Sequence, residues 1–184
     1  VLVTVGAQDM GFDNLSSFTT DYHDAGRCAV SKFVAKGHTR IGMIGGYLSG
    51  YSKEFKNSKI VGAVEELAKN GISFDFDRDY EPCSYSAESG YKAAEKLMSR
   101  SPDLTAIFAI SDSIAFGAIR ALKDIGLRVP EEVSVIGFDG LILAKYSVPR
   151  LSTIQQDTAM LAKKSVDDLL MRISYGGPAV HELI

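Results

Sequence analysis

The sequence predicts an α/β fold built on a mostly parallel sheet flanked by helices. Short runs of apolar and β-branched residues recur along the whole chain, and amphipathic segments of helical length separate them. No internal repeat and no low-complexity tract breaks that alternation. The chain has 184 residues, enough for one substantial core or for two small lobes that share segments.

Each element follows from local pattern. "VLVTVG" (1–6) is strand-like, and residues 7–20, rich in Asp, Asn, Ser and Gly, read as a loop. In "DAGRCAVSKFVAKGH" (24–38) Ala25, Ala29, Phe33 and Val34 share a helical face, and Gly37 ends the helix. "RIGMIGG" (40–46) is a buried strand. A Gly/Ser/Tyr-rich, linker-like loop at 45–52 leads on to the helix "KIVGAVEELAKNG" (59–71), with Ile60, Val64 and Leu67 in register. A short strand is expected near 78–83. Next comes a helix over 86–100 that opens on a capping box, with Ser86 first and Glu88 or Ser89 in the first turn. "TAIFAI" (105–110) is a strand, 112–126 an amphipathic helix closed by Gly126, and "VSVIGF" the next strand. "RLSTIQQ" (150–156) is extended, and 157–174 forms a long helix.

Bulk properties exclude several functions. A net charge of −3 leaves no basic footprint for nucleic acid, so any DNA contact belongs to another segment. Cys28 and Cys83 are far apart and match no metal spacing, and read as buried free thiols of a reducing cytoplasm in preference to a disulfide. No apolar run approaches the ~20 residues of a membrane span. "VLVTVGAQ" lacks the basic start of a signal peptide. It also lacks Met and begins inside a strand, so a fragment is expected, from which an export signal could have been removed.

In open parallel sheets ligands bind at the carboxyl ends of the strands. After "RIGMIGG" come Tyr47 and then the helix carrying Lys59. After the strand near 80 comes Tyr85; after "TAIFAI", Ser111 and Asp112; after "VSVIGF", Asp139. A cation, aromatic rings, a hydroxyl and carboxylates on one rim suit a polyhydroxylated ligand. A carboxylate accepts charge-assisted hydrogen bonds from hydroxyls, and a flat ring covers the apolar face of a sugar. Gly137 and Gly140 flank Asp139 and let the backbone turn sharply.

Plainer readings stand beside these. Asp139 before Gly140 is also a common turn dipeptide, and Asp112 sits where a helix cap belongs. Tyr85 also reads as a loop aromatic, and Lys59 as a solvated helix lysine. His23, His38 and His181 are scattered, and His38 suits a helix C-terminus. No nucleophile elbow, paired metal ligands or Walker loop appears, and "GMIGGYLSG" does not fit a dinucleotide fingerprint. The sequence thus points to no enzyme, no metal and no cofactor.

The block "AISDSIAFGAIRALKDIGLRVPEEVSVIGFDG" (109–140) resembles the lac repressor/galactose repressor family of bacterial transcription regulators. "TTDYHDAGRCAVSKFVAKGHTRIGMIGG" resembles that family's Asp-x-x-x-x-Gly helix and the strand after it. "YSAESGYKAAEKLM" resembles its Ser-x-x-x-Gly-Tyr helix, and "PRLSTIQQD" its crossover. The resemblance covers nearly the whole chain. It implies a two-lobed, periplasmic-binding-protein-like core with Rossmann-like lobes, the effector in the cleft between them, and three chain crossings. On that map 1–21 end the N-terminal lobe and 22–154 form the C-terminal lobe. Residues 155–177 return to the N-terminal lobe, and 178–184 head back toward the C-terminal one.

The resemblance also assigns roles. Asp139 falls at the sugar-binding aspartate, Ser111 at a polar contact with Asp112 beside it, and Tyr85 at the stacking aromatic. Lys59 stands where many members carry arginine, a departure, because lysine cannot make the bidentate fork. Asp21 falls near the lobe crossover, as a hinge or as support for the effector contacts. A homodimer face is expected from Phe116, Ile119 and Arg120 and from the segment holding Lys145 and Tyr146, although some of these residues must face the sheet. The DNA-binding headpiece and most of the N-terminal lobe are expected to be absent. Leu161, Val166, Leu169, Leu170 and Ile173 would then lose an apolar partner. The implied function is a cytoplasmic regulator whose effector, a sugar or sugar derivative, shifts its affinity for operator DNA. The alternative is a periplasmic sugar-binding protein of a transporter.

Overall fold

The computed structural model describes residues 1–6, 12–46 and 58–184. Tyr47 and most of the loop expected at 45–52 lie outside them. The chain divides into two compact units, one of Val1–Asp21 with Gln156–Ile184, the other of Tyr22–Gln155.

The larger unit holds strands β3 (Ile41–Ile44), β4 (Tyr80–Glu81), β5 (Ala106–Ala109), β6 (Ser134–Asp139) and β7 (Ser152–Gln155). They form one parallel sheet in the order β4-β3-β5-β6-β7. The chain enters at β3, steps outward to β4, then returns past β3 to β5, β6 and β7. That reversal between β3 and β5 is a switch in strand order, and the carboxyl edge beside such a switch is the usual place for a ligand. Strand β3 is buried at every residue, as is β5, as a parallel sheet covered on both faces requires.

Helices α1 (Tyr22–Val34) and α2 (Lys59–Lys69) pack on each other, as do α4 (Ala87–Arg100) and α5 (Asp112–Asp124); the short α3 (Phe76–Asp79) precedes β4. Right-handed crossovers put the two pairs on opposite faces of the sheet. Helix α1 buries Ala25, Gly26, Ala29, Val30 and Phe33, and Val34 packs against the same core at its edge. Serines cap three of the helices: Ser58 accepts from the Ile60 N–H, Ser86 from Ser89 and Ser111 from Ile114.

Within each pair the helices meet backbone to backbone in their first two turns. A Cβ built on Gly26 would stand 1.8 Å from the carbonyl oxygen of Lys59, and one on Gly62 would stand 1.9 Å from that of His23. On the other face, Gly90 would meet the Ile114 carbonyl oxygen at 2.4 Å and Gly117 that of Ala87 at 1.9 Å. Only glycine permits these approaches.

The smaller unit has a parallel sheet ordered β1-β2-β8, from β1 (Leu2–Val5), β2 (Leu15–Thr19) and β8 (His181–Leu183), with α6 (Thr158–Tyr175) packed on β1 and β2. Two expectations change here. The expected loop over 7–20 contains β2, the central strand, buried at every residue. Its serines concealed it, yet their hydroxyls are satisfied: Ser16 accepts from Arg172 at 2.7 Å, and Ser17 pairs with His181 Nδ1 at 2.9 Å. The buried stripe of α6 is Leu161, Ser165, Asp168 and Arg172. Of the apolar residues expected to stand without a partner, Val166, Leu170 and Ile173 are exposed, whereas Leu161 is buried. Finally, β8 does not leave this unit: it pairs with β2 in parallel register, Phe18 opposite Glu182.

The glycine contacts give a stability prediction. Gly62→Ala should lower the unfolding free energy in urea by at least about 2 kcal/mol, since its methyl would overlap a fixed carbonyl. Ala68→Gly, exposed on the same helix, should cost only about 1 kcal/mol by helix propensity.

Candidate functional site

The carboxyl rim of the larger sheet is built from strand ends held by neighbouring groups. At the end of β3, Tyr80 donates its hydroxyl to the carbonyls of Gly45 and Gly46, at 2.8 and 2.6 Å. Gly46 also donates its N–H to the Cys83 carbonyl at 2.9 Å, which anchors the chain just before Tyr85.

At the end of β6 the backbone is forced. Asp139 has φ 124°, the one positive φ of a non-glycine among the described residues. Such a conformation costs about 1–3 kcal/mol and persists only where its surroundings impose it. Those surroundings are visible. Asp139 sits in register with Gln155 of β7, and a Cβ on Gly140 would lie 2.6 Å from Gln155 Cγ. The Gly140 N–H donates to Thr153 Oγ1 at 3.2 Å. The Leu141 N–H donates to Asp112 Oδ2 at 2.7 Å. Gly137 has no side chain because a Cβ there would fall 2.3 Å from Asp112 Oδ1. The sequence "GFDG" is thus the trace of a strand end clamped from both sides so that one carboxylate projects from it.

Lys59 is the first residue of α2, and its carbonyl is the one seated against Gly26. Its Nζ lies 3.7 Å from the centroid of the Phe138 ring and 4.9 Å from that of Tyr22, in cation–π contact with both. Tyr22 and Phe138 themselves pack edge to face, centroids 5.8 Å apart. Burial lowers the Lys59 ammonium from 10.5 to about 8, against a smaller upward pull from Asp139. The positive end of the α2 dipole also disfavours a cation at this position. The Tyr85 ring is exposed, but its hydroxyl end turns inward, 4.0 Å from where a Gly46 Cβ would stand. Burial first, then the nearby Asp139 charge, raises the Tyr85 phenol above its ordinary value.

The structure therefore brings Lys59, Tyr85 and Asp139 to one rim. Ser111 stands at the end of β5 but is buried, with its oxygen accepting from the Ile114 N–H at 3.3 Å. Asp112 is fully buried and is not the cap, a role Ser111 fills; its carboxylate holds the turn after Asp139. Asp21 belongs to the smaller unit, where its N–H donates to the Ile184 carbonyl at 2.9 Å. Sequence reasoning missed Tyr22 and Phe138, the aromatic wall under Lys59. The available signal was their position, Tyr22 next to Asp21 and Phe138 next to Asp139. Among the expected dimer residues Ile119 lies in the core and Phe116 packs partly against it, while Arg120 is exposed and paired with Asp124. Lys145 and Tyr146 are exposed. Cys28 and Cys83 are free thiols, and only Cys83 is fully buried. No metal-binding cluster occurs among the described residues.

Residues 30–184 match the periplasmic binding protein-like domain family. The chain belongs to that family. It is 34% identical over 173 residues to the HTH-type transcriptional repressor PurR of Haemophilus influenzae, covering 92% of this chain and 50% of that protein. The chain thus spans about half the length of the curated relatives it matches. Among solved structures, a complex of the transcriptional regulator CelR with cellobiose superposes with a TM-score of 0.86 at 27% identity, over 99% of this chain and 55% of that one. A LacI family transcriptional regulator from Enterococcus faecium with bound ribose gives 0.82 at 26% identity, over 98% and 65%. The relatives and neighbours in this family are transcription regulators of the lac repressor type, and the fold is that of their core domains.

Lys59 makes a stability prediction whose sign follows from its proton balance. Between pH 8 and 10.5 the unfolded chain holds a proton on Lys59 that the folded chain has released, so stability from this group rises with pH across that window. Below it, the fold bears the cost of a desolvated ammonium. Lys59→Met should therefore raise the urea midpoint at pH 7, and the advantage should fade as the pH climbs toward 10.5.

Proposed function

We propose that this chain is the effector-binding and dimerisation part of a transcription regulator, and that the rim of Lys59, Tyr85 and Asp139 takes a sugar or sugar derivative. The observation that carries the reading is Asp139, a carboxylate held in a costly backbone conformation at the carboxyl edge of the sheet. It accepts hydroxyl protons, Lys59 donates to hydroxyl oxygens, and Tyr85 and Phe138 supply apolar faces for the carbon skeleton. Ser111, accepting at its oxygen, retains a hydroxyl proton to give. The cellobiose and ribose carried by two structural neighbours belong to this chemical class.

The regulator works by population shift: the effector binds one state better than the other and biases the protein toward it. The dimer face is the exposed apolar set Leu141, Ile142, Leu143, Tyr146 and Val148, with Lys145 among them and Arg120 and Phe116 on α5. Operator DNA is contacted by a segment outside this sequence, in keeping with a net charge of −3. No helix among the described residues is long and apolar enough to cross a membrane, and with free thiols the cytoplasm is the proposed site of action.

Calorimetry with a panel of ribose, cellobiose, sugar phosphates and purines tests the reading. At least one saccharide should bind. Asp139→Gly should weaken it by about a hundredfold through loss of two charge-assisted bonds, while raising unfolding free energy by about 1 kcal/mol as the positive φ becomes unstrained. Unchanged affinity in Asp139→Gly would remove Asp139 from the site, and binding by a purine alone would replace the saccharide as ligand.

A further inference from the structure

We propose that Asp112 is a positioning residue for the effector: without touching the ligand, its carboxylate holds Asp139 in the backbone geometry that receives one. Both of its oxygens face the turn that carries Asp139, one on each side of that residue. Oδ2 accepts from the Leu141 N–H at 2.7 Å, just after Asp139. Oδ1 lies where a Cβ on Gly137, just before Asp139, would come within 2.3 Å of it. One carboxylate thus brackets the residue that has φ 124°, a conformation rare for any residue with a side chain. The bracket stands on a fixed support. Asp112 opens α5, and that helix is seated on α4 through Gly117 against the Ala87 carbonyl and Gly90 against that of Ile114. Asp112 is wholly buried, so it acts through the turn and not on a ligand.

The choice of a carboxylate fits that role better than a purely structural one. The Leu141 amide needs a single acceptor, which a neutral side chain would supply. A carboxylate buries a second oxygen, and among the described residues Oδ1 accepts no hydrogen bond, which opposes folding. Leu151 Cδ2 and Ala115 Cβ stand 3.2 and 3.3 Å from the same point beside Gly137, so the neighbours there are apolar. What the carboxylate adds is strength, because a charge-assisted bond is about twice as strong as a neutral one. A strained turn needs it. Released from the bracket, Asp139 relaxes to an ordinary φ and its carboxylate leaves the rim. Held, it meets a ligand already in place, and binding loses no free energy to ordering it. The clamp rests on geometry alone; that its ligand is a sugar rests on the saccharide reading of the rim.

Double-mutant cycles on the full chain separate the clamp from its ligand. In urea without ligand, Asp139→Gly should raise the unfolding midpoint, and that rise should fall by roughly half or more in an Asp112→Ala background, where the turn has already relaxed. The same rise in both backgrounds would overturn the proposal. In calorimetry with ribose and with cellobiose, Asp112→Ala should weaken binding about tenfold. Asp112→Asn keeps an oxygen for the Leu141 amide and should recover most of that loss. In an Asp139→Gly background, Asp112→Ala should weaken binding no further. An equal loss there would make Asp112 a support of the whole rim and end its role as the positioner of Asp139. If Asp112→Ala does not fold, Asp112→Asn carries both cycles, with smaller shifts in the same directions. Failure of both sugars to bind the unaltered chain would strike the saccharide reading, and the urea cycle would then decide the clamp by itself.

Discussion

Four glycines set the architecture of the larger unit. Gly26 and Gly62 on one face of the sheet, Gly90 and Gly117 on the other, each admit the carbonyl of a neighbouring helix into the space a methyl would fill. The contacts lie in the first two turns of α1, α2, α4 and α5, and so draw four helix starts toward the carboxyl edge of one sheet. Everything at the rim depends on that convergence. Lys59 supplies one of the admitted carbonyls, and its side chain leaves the helix from a backbone that cannot shift. Ser111 and Ser86 cap helices that the same packing has placed.

The rim carries costs that a purely structural edge would avoid. A positive φ at Asp139, a half-buried ammonium over two rings, and a fully buried Asp112 whose Oδ1 has no hydrogen-bond partner each oppose folding. The turn at Asp139 is held by Gln155 against Gly140, Thr153 under the Gly140 amide and Asp112 on the Leu141 amide. Asp139 and the exposed apolar run that begins at Leu141 are separated by one residue, Gly140.

Much of this was legible in the residues. The alternation of strands and helices marked a parallel sheet, and the segments just beyond the strands' carboxyl ends held Lys59, Tyr85 and Asp139. The motifs that suggested the family contain all but one of the four packing glycines, and the fourth, Gly62, stands three residues after Lys59, so the resemblance rests on steric necessity at those positions. The features that were not legible have physical reasons for it. Strand β2 is written in serine and threonine, and the partners that suit Ser16 and Ser17 for burial, Arg172 and His181, lie far along the chain. Helix α6 buries a polar stripe, Ser165, Asp168 and Arg172, which apolar periodicity does not report. Tyr22 lies far in sequence from Phe138 and Lys59, and no local pattern reports an aromatic wall assembled from two distant elements. Asp112 occupies a cap-like position, but its burial beneath β6 depends on the absence of a side chain at Gly137.

If the helix starts and strand ends brought together by these glycines form a single saccharide-binding rim, a bound sugar must protect all of them at once. Amide hydrogen exchange of the full chain, with and without saturating ribose or cellobiose, reads this out. Slowed exchange is expected only in the first turn of α2, the segment from Ser84 to Gly90, and the turn from Gly137 to Leu141. Protection that spared all three while appearing elsewhere on the molecule would contradict it.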